Sequence, residues 1–374
     1  MVAKGTCLIS QPTEIQTYRD LPLDELAERT AAAKRRLGDR VIVLGHNYQR
    51  DEVIRHADVE GDSLKLSQIA AERSAHEYIV FCGVHFMAET ADILSQSAQT
   101  VILPDLAAGC SMADMAQIEQ VDQAWEQLGR ILPVEETVTP VVYVNSAADL
   151  KAFCGEHGGI TCTSSNARRV IEWAWARREK ILFFPDEHLG RNTANKMGIP
   201  REDLLVWDPF QPNGGHTREA IKKARLLLWK GFCSVHQMFQ PAHVRYFKEK
   251  YPGIKIIVHP ECHEDVVNLA DLSGSTEFII KTVSAAAPGT IWGVGTELNL
   301  VNRLKHRQPD KHVYFLSPTV CQCSTMFRID APHLCWAMEN LAEGHVVNRI
   351  SVPDDDKRWA RIALQRMLDV SVPA

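Results

Sequence analysis

Residues 40–49 read RVIVLGHNYQ, an apolar run rich in β-branched residues that ends in a polar cluster. A continuous apolar run of this length is typical of a strand that is covered on both faces. Similar runs recur, and segments with the 3.6-residue apolar period of helices lie between most of them. The runs are EYIVFCG (77–83), TVILPD (100–105), PVVYVN (140–145), KILFFPD (180–186), IKIIVHP (254–260), GTIWGVG (289–295) and HVYFLSP (312–318). The sequence therefore predicts an α/β fold with parallel sheets between layers of helices.

One layout occurs three times along the chain. Each copy starts from a strand that ends in polar residues: GHNYQ (45–49), YVNS (143–146) and HPE (259–261). A cluster of small polar residues follows before a helix: GDS (61–63), TSSN (163–166) and GST (274–276). Each copy closes on a strand or turn that carries a cysteine: Cys110, Cys233 and Cys323. Since ordinary α/β alternation would not repeat these features in order, we interpret them as an internal repeat.

The spacing of these features supports the repeat and suggests domain boundaries. The polar strand end and the cysteine are 64 residues apart in two copies, from His46 to Cys110 and from His259 to Cys323. In the other copy they are 88 residues apart, from Asn145 to Cys233. Segment 192–216 accounts for the longer interval, and we interpret it as an insertion or an active-site loop. We predict three similar three-layer αβα domains, related by a pseudo-threefold axis around a central cluster: residues 20–125 with 327–374, residues 126–232, and residues 233–326.

One cysteine from each predicted domain points to a metal centre. Ligands of parallel α/β units bind beyond the carboxyl ends of the strands, so three such units would bring their cysteines together. Three thiolates without a fourth suit an iron–sulfur cluster with one open iron, which can bind a substrate oxygen as a Lewis acid. Zinc is the alternative metal, but the chain has no C-x₂-C pair, and Cys321 and Cys323 are too close for that spacing.

The hydroxyl clusters and polar strand ends predict the kind of substrate. Helix N-termini that converge on one cavity attract phosphates and carboxylates, so we expect small anionic substrates. The strand ends and the neighbourhood of Cys233 add candidate acid–base and hydrogen-bonding groups: His46, Tyr48, Tyr143, Asn145, His236, His259 and Glu261. The run HPECH (259–263) also permits a zinc enzyme centred on His259, Glu261 and His263.

Composition argues against several other classes of protein. The 374 residues are 45% apolar and 24% charged, which is ordinary globular usage. With a net charge of −6 and no basic stripe, we expect no nucleic acid partner. No apolar run approaches the ~18 residues of a membrane span, and the N-terminal segment lacks the apolar core of a secretory signal. We expect a cytoplasmic protein with reduced thiols, in which four cysteines are small buried apolar residues: Cys7, Cys154, Cys162 and Cys335.

From about residue 40 to residue 326 the chain resembles the quinolinate synthase family. The resemblance rests on specific motifs in the family's order: GHNYQ, CGVHFMAET, AGCSMADM, YVNS, TSSNA, GFCSVH, HPEC, GST and VNRL. It implies condensation of iminoaspartate with dihydroxyacetone phosphate to quinolinate, phosphate and water, in NAD biosynthesis. It also implies a [4Fe–4S] cluster with three cysteine ligands and one open iron. L-Aspartate oxidase would be the partner that supplies iminoaspartate.

The resemblance also implies roles for individual residues. Cys110 and Cys233 are expected cluster ligands, and a methionine three residues downstream favours Cys323 over Cys321 as the third. The expected proton-transfer residues are Tyr48, His259 and Glu261. Substrate binding is expected from His46, Ser63, Tyr143, Asn145, Ser164, His236, Ser275 and Thr276.

Two other functions remain open from the sequence. Another [4Fe–4S] hydratase or lyase on the same scaffold would share the three cysteines without requiring dihydroxyacetone phosphate. A non-catalytic iron–sulfur redox sensor would shield or fully ligate its cluster, which would leave the anion-binding hydroxyls without a purpose. The density of polar groups at the strand ends favours catalysis.

Overall fold

The structure is a computed structural model that describes residues 11–72, 75–319 and 322–371. Cys7 and Cys321 therefore lie outside the described residues. Strands and helices alternate through that range, which confirms the predicted α/β class. The strands are β1 (Val41–His46), β2 (Val59–Gly61), β3 (Tyr78–Cys82), β4 (Thr100–Ile102), β5 (Val138–Tyr143), β6 (Ile160–Cys162), β7 (Lys180–Phe184), β8 (Leu204–Trp207), β9 (Leu226–Trp229), β10 (Lys255–Val258), β11 (Leu272–Ser273), β12 (Ile291–Gly295), β13 (His312–Phe315) and β14 (Arg349–Ile350).

The α-helices fill the connections between the strands. They are α1 (Leu23–Leu37), α2 (Asp51–Ile54), α3 (Ser63–Glu72), α4 (His85–Leu94), α5 (Ile118–Gly129), α6 (Val134–Thr137), α7 (Ala148–Glu156), α8 (Ala167–Trp175), α9 (Glu187–Lys196), α10 (Arg218–Lys223), α11 (Ser234–Gln237), α12 (Pro241–Lys250), α13 (Glu264–Leu269), α14 (Thr276–Ala285), α15 (Leu298–Arg307), α16 (Ala331–Ala342) and α17 (Asp354–Ser371). No helix within the described ranges is both long and apolar enough to cross a membrane.

The strands form three separate sheets. The first sheet has the order β14-β4-β3-β1-β2, the second β6-β5-β7-β9-β8 and the third β11-β10-β12-β13. Among the described residues every strand pair is parallel except β14 with β4. Three parallel-dominated sheets agree with the predicted three-domain αβα arrangement, whereas the pseudo-threefold axis and the domain boundaries stay predictions.

The three sheets share a strand order that explains the sequence repeat. In each sheet the first strand in sequence lies between the second and the third, and the fourth follows the third in the first and third sheets. The second sheet differs because β8 forms an additional edge strand beyond β9. Since β8 lies within segment 192–216, this segment is an insertion that extends the sheet rather than an active-site loop.

The central strands are buried because helices cover both faces of each sheet. All six residues of β1 and all six of β5 are buried, which matches their continuous apolar sequence. Helix starts are fixed by side chains at the strand exits. Asp62 Oδ1 accepts a hydrogen bond from the Lys65 amide at 3.0 Å, and Ser275 Oγ accepts one from the Phe278 amide at 3.3 Å.

The two C-terminal helices pack on different sheets. Helix α16 packs against α1 beside the first sheet, whereas α17 packs against α7, α8 and β6 of the second sheet. The buried side chains of Ala360, Leu364 and Met367 join the apolar core of the second sheet. Residues 354–371 therefore contribute to the second sheet's core and also pack against α4 beside the first sheet, and their grouping with the first domain stays a prediction.

Candidate active site

One central pocket lies where the carboxyl ends of the three sheets meet. His46 ends β1, Tyr143 ends β5 and His259 follows β10, and all three line this pocket. Its walls include every predicted site residue except Ser275: His46, Tyr48, Ser63, Cys110, Tyr143, Asn145, Ser164, Cys233, His236, His259, Glu261, Thr276 and Cys323. The shared strand order thus brings together residues that are up to 277 positions apart in sequence.

The cysteines that line the central pocket differ in exposure from the rest. Cys110, Cys233 and Cys323 are partly exposed residues with free thiols that line the pocket, and one follows the closing strand of each sheet. The other cysteines in the described part of the chain are fully buried: Cys82, Cys154, Cys162, Cys262 and Cys335. Burial raises the pKa of Cys110 to about 12 and that of Cys233 well above its usual value, so a metal's charge is needed to hold them as thiolates. Three accessible thiols at one pocket fit a cluster with three cysteine ligands.

A second set of possible metal ligands overlaps the three thiols. Ligand atoms of Cys233, His236 and Glu261 all lie within 4.8 Å of one another, which suits a single divalent ion. The three cysteines do not form such a tight group among the described residues. An iron–sulfur cluster does not require such a tight group of ligand atoms, because each cysteine would bind a different iron.

Glu261 is the electrostatic centre of the central pocket. Tyr143 Oη donates a hydrogen bond to Glu261 Oε1 at 2.6 Å. His236 Nδ1 lies 2.7 Å from Glu261 Oε2. This contact is close, but its angle is not that of a hydrogen bond. His259 Nδ1 lies 3.7 Å from the same oxygen. Burial alone would raise the pKa of Glu261, but His259, His236 and Tyr143 outweigh it and lower the pKa to about 2. Glu261 is therefore an ionised carboxylate at neutral pH.

Two histidines of the central pocket are neutral. Burial and the nearby Arg303 lower the pKa of His46 to about 3. Burial also lowers the pKa of His259 to about 3, against the opposing effect of Glu261. His46 Nδ1 accepts a hydrogen bond from the Tyr48 amide at 3.2 Å, which assigns the proton of its neutral ring to Nε2. His46 can therefore donate a hydrogen bond through Nε2.

Tyr48 connects the first and third sheets within the central pocket. Its hydroxyl lies 2.7 Å from Thr296 Oγ1, and its ring packs edge-on against His46 with centroids 4.8 Å apart. Burial and the negative charge of Glu261 raise the pKa of Tyr48 well above its usual value. Tyr48 therefore keeps its phenolic proton and can donate it.

Helix N-termini and hydroxyl groups form the polar wall of the central pocket. Ser63 begins α3, Thr276 begins α14, and Ser164 lies just before α8. Ser275 does not reach this wall, because it caps α14 instead. Among the described residues, no lysine or arginine lines the central pocket. Backbone N–H groups, hydroxyls and imidazoles are thus the available anion-binding groups.

Two acidic residues of the central pocket were not predicted as site residues. Asp62 lines it and accepts a hydrogen bond from Ser165 Oγ at 2.9 Å, while burial raises its pKa. Glu297 lines it from the N-terminus of α15, and burial raises its pKa to about 7. The sequence signal was present, since both follow a strand of the repeat. Both residues also cap the helices that follow them, and this role concealed their place in the pocket.

The zinc arrangement considered for residues 259–263 does not form. His263 begins α13 as its N-cap, where its Nδ1 accepts a hydrogen bond from the Asp265 amide at 3.3 Å. Its side chain is 46% exposed and does not line the central pocket. His259 and Glu261 do line it, whereas His263 lies outside it at the N-cap of α13.

The fold and the central pocket define an α/β enzyme in which three parallel-dominated sheets share one site. Buried acid–base groups, hydroxyls and thiols that converge in one pocket are typical of a catalytic centre. The family model described as quinolinate synthetase A protein matches residues 28–369. The chain therefore belongs to the quinolinate synthase family, a family of enzymes of NAD biosynthesis.

Individual members of the family are similar over nearly the whole chain. The quinolinate synthase of Rhodopirellula baltica is 54% identical over 367 residues, covering 95% of this chain and 93% of the relative. That of Herpetosiphon aurantiacus is 56% identical over 358 residues, covering 95% of both chains. That of Acidobacterium capsulatum is 57% identical over 356 residues, covering 94% of this chain and 95% of the relative.

Proposed function

We propose that the protein condenses iminoaspartate with dihydroxyacetone phosphate to form quinolinate, phosphate and water. Family membership supports this assignment. The observation that carries it is the convergence, in one pocket, of three accessible thiols, an ionised carboxylate among neutral acid–base groups, and helix N-termini. A redox sensor would need the thiols alone, so the remaining groups favour catalysis.

Binding of the anionic substrates falls to neutral donors and helix N-termini. Phosphate and carboxylate groups bind at Ser63, Ser164 and Thr276, which line the central pocket at or near helix N-termini. Ser275 acts through its cap on α14, which orients those amides. Asn145 Oδ1 is buried without a hydrogen-bond partner, and it suits the N–H of the iminoaspartate nitrogen.

Cys110, Cys233 and Cys323 would hold a [4Fe–4S] cluster with one open iron. When bound, such a cluster supplies a Lewis acid that assists the loss of water from a substrate oxygen. His236 lies beside Cys233 in the central pocket and contributes to substrate binding there.

Proton transfers belong to polar groups that share the central pocket with the thiols. Glu261 is held ionised and accepts a proton from a substrate carbon or hydroxyl, with Tyr143 and His259 orienting the carboxylate. Tyr48 keeps its proton and donates it to a leaving or developing oxygen. His46 Nε2–H polarises a carbonyl oxygen during carbon–carbon bond formation and ring closure.

The cellular setting follows from the substrates. We place the enzyme in the cytoplasm, where thiols stay reduced and a cluster with an open iron can persist. L-Aspartate oxidase is the proposed source of iminoaspartate. Since the imine hydrolyses readily in water, its transfer should be rapid.

An anaerobic preparation tests the proposed function. Protein loaded with iron and sulfide should be brown, contain about four irons per chain, and form quinolinate from iminoaspartate and dihydroxyacetone phosphate. An iron-loaded preparation that forms no quinolinate would reject the activity. A colourless preparation that contains zinc would instead favour a single ion at Cys233, His236 and Glu261.

Single substitutions test the ligand assignment. Cys110→Ala, Cys233→Ala and Cys323→Ala should each lose bound iron, whereas Cys321→Ala should retain it. Cys335→Ala is the matched control, because Cys335 is fully buried in a separate apolar cluster with Tyr18 and Leu26. Iron loss from Cys321→Ala with retention in Cys323→Ala would move the third ligand to Cys321.

A further inference from the structure

The segment that carries Tyr48 has an unusual support from another sheet. Residues 47–49 follow β1 of the first sheet, yet side chains of α15, which connects β12 to β13 in the third sheet, bind the carbonyl oxygens of all three residues. Asn47 and Gln49 are 4% and 0% exposed, so water cannot replace these donors.

Arg303 provides most of this support. Its Nη1 donates to the Asn47 carbonyl at 2.8 Å, its Nη2 donates to the Gln49 carbonyl, and its Nε donates to Asp51 Oδ1 at 2.8 Å. Only 6% of Arg303 is exposed. A rigid guanidinium fork thus spans the segment on both sides of Tyr48.

Two other residues of the same region complete the contact. Asn299 Nδ2 donates to the Tyr48 carbonyl at 3.2 Å, and Thr296 Oγ1 lies 2.7 Å from the Tyr48 hydroxyl. The carbonyl and the hydroxyl of Tyr48 are therefore both held by residues at or just before the start of α15. The phenol position depends on this helix rather than on β1 alone.

The same segment continues toward the third proposed cluster ligand. Gln49 Nε2 donates to the Met326 carbonyl at 3.2 Å, and the Phe327 amide donates to the Cys323 carbonyl at 2.9 Å. Displacement of residues 47–49 would thus reach the turn that carries Cys323 as well as Tyr48.

We propose that Arg303 is a positioning residue that sets the place of Tyr48 in the central pocket. The inference rests on the proposed function, in which Tyr48 donates a proton. Arg303 does not line the central pocket, and its hydrogen bonds reach the Tyr48 segment through the backbone carbonyls of Asn47 and Gln49. A displacement of about 1 Å at a catalytic group can reduce turnover about a hundredfold.

Arg307 supplies a matched control on the same helix. It joins the same two sheets through two contacts of 2.9 Å to Glu60, but it is 55% exposed in its side chain and does not touch residues 47–49. If Arg303 only holds the sheets together, then Arg307→Met should resemble Arg303→Met. If Arg303 positions Tyr48, the two variants should differ.

The first measurement is hydrogen–deuterium exchange in the metal-free protein. Arg303→Met should accelerate exchange in peptides covering residues 46–54 by about tenfold or more, while Arg307→Met leaves them unchanged. Equal exchange in the two variants would overturn the proposal. This readout does not depend on activity, so it decides the inference even if the wild-type enzyme forms no quinolinate.

The second measurement is steady-state kinetics of the iron-loaded enzyme. Arg303→Met should lower kcat about a hundredfold with KM changed less than about threefold, and Arg307→Met should stay within about threefold of wild type. In Tyr48→Phe protein, the addition of Arg303→Met should lower kcat by less than about a further threefold, because both changes remove the same function. A full additional loss in that background would reject the route through Tyr48.

Further variants cover a failure of Arg303→Met to fold. Arg303→Lys keeps the charge but can reach only one carbonyl at a time, so its kcat should lie between wild type and Arg303→Met. Asn299→Ala removes only the Tyr48 carbonyl contact, and it should lower kcat about tenfold. Wild-type kcat in both variants would also overturn the proposal.

Discussion

Glu261 shows how single side chains set the chemistry of the central pocket. Its carboxylate is buried, which would favour the neutral form, yet the hydrogen bond from Tyr143 and the close contact with His236 favour the ionised form. His236 and His259 stack with ring centroids 4.5 Å apart. A base of this kind depends on each partner, so the removal of one hydroxyl should be measurable.

Tyr143→Phe should lower kcat/KM by roughly ten- to hundredfold. A hydrogen bond to a charged group contributes about 1.5–3 kcal/mol, and the phenol donates to Glu261 at 2.6 Å. Iron content should stay at the wild-type level, since the hydroxyl touches no proposed ligand. Tyr78→Phe is the control, because the hydroxyl of Tyr78 contacts Arg40 and Glu77 at the surface, away from the central pocket. Equal kcat/KM in Tyr143→Phe and wild type would remove Tyr143 from the proton-transfer group.

Accessible thiols should also be distinguishable chemically without any assay of activity. In metal-free protein, iodoacetamide should label Cys110, Cys233 and Cys323 first, because the other described cysteines are fully buried. Mass spectrometry of peptides at increasing labelling times gives the order. Early labelling of Cys82 or Cys154 would contradict the structure.

Sequence alone identified the residues that face the central pocket better than those that support them. Strand exits are readable because the carboxyl ends of parallel strands share one edge, and His46, Tyr143 and His259 follow that rule. Ser275 lies outside the pocket lining, because a serine before a helix can either cap it or face a ligand, and this one caps α14. The support from Arg303 was invisible, since its partners lie more than 250 residues away in sequence.

At the scale of secondary-structure elements, long central strands and amphipathic helices were predictable from periodicity. Two of the segments with the helical period are residues 24–37, which form α1 (Leu23–Leu37), and residues 296–305, which form most of α15 (Leu298–Arg307). Five edge strands of two to four residues were not predicted from the sequence, because so few residues show no period. They are β2, β6, β8, β11 and β14. Their positions depend on pairing with a neighbour instead.

Helix α9 should support the loop that carries Glu261. Asn192 Nδ2 donates to the carbonyls of Pro260 and Cys262, both at 2.8 Å. Asn192→Ala should therefore lower kcat/KM by about tenfold through misplacement of the carboxylate. Asn195→Ala on the same helix is the control, because Asn195 makes only an exposed contact with Glu264. Similar kinetics in the two variants would show that α9 does not position the loop.

Packing of α17 on α7 should tolerate no side chain at Gly155. A Cβ at Gly155 would overlap the carbonyl oxygen of Trp359, so the helices would have to separate. Gly155→Ala should lower the free energy of unfolding by about 1–3 kcal/mol in urea titrations. At Gly129 the nearest atom to an added Cβ is 3.5 Å away, so Gly129→Ala should be neutral or slightly stabilising. A neutral Gly155→Ala would mean that α17 is not held tightly.

At the scale of the whole molecule, three sheets with a common strand order each contribute one accessible cysteine to one pocket. A cluster bound to all three would link the sheets directly. Binding to the folded state alone adds to stability, because the unfolded chain does not hold the three ligands together.

Removal of the metal should therefore destabilise the protein as a whole. We expect metal-free protein to have a Tm roughly 5–10 °C below that of the iron-loaded protein in anaerobic calorimetry. Cys110→Ala and Cys323→Ala should resemble the metal-free wild type, because each removes the same link. Cys335→Ala should still gain stability on iron loading. A Tm that is independent of iron would show that the cluster does not link the sheets.

The position of α17 has a consequence for how the protein is made in the cell. This helix completes the core of the second sheet, although it is translated after all three sheets. While the chain is still on the ribosome, the second sheet therefore exposes apolar surface around α7 and β6. Chaperones should bind the nascent chain at this surface until α17 has left the ribosome.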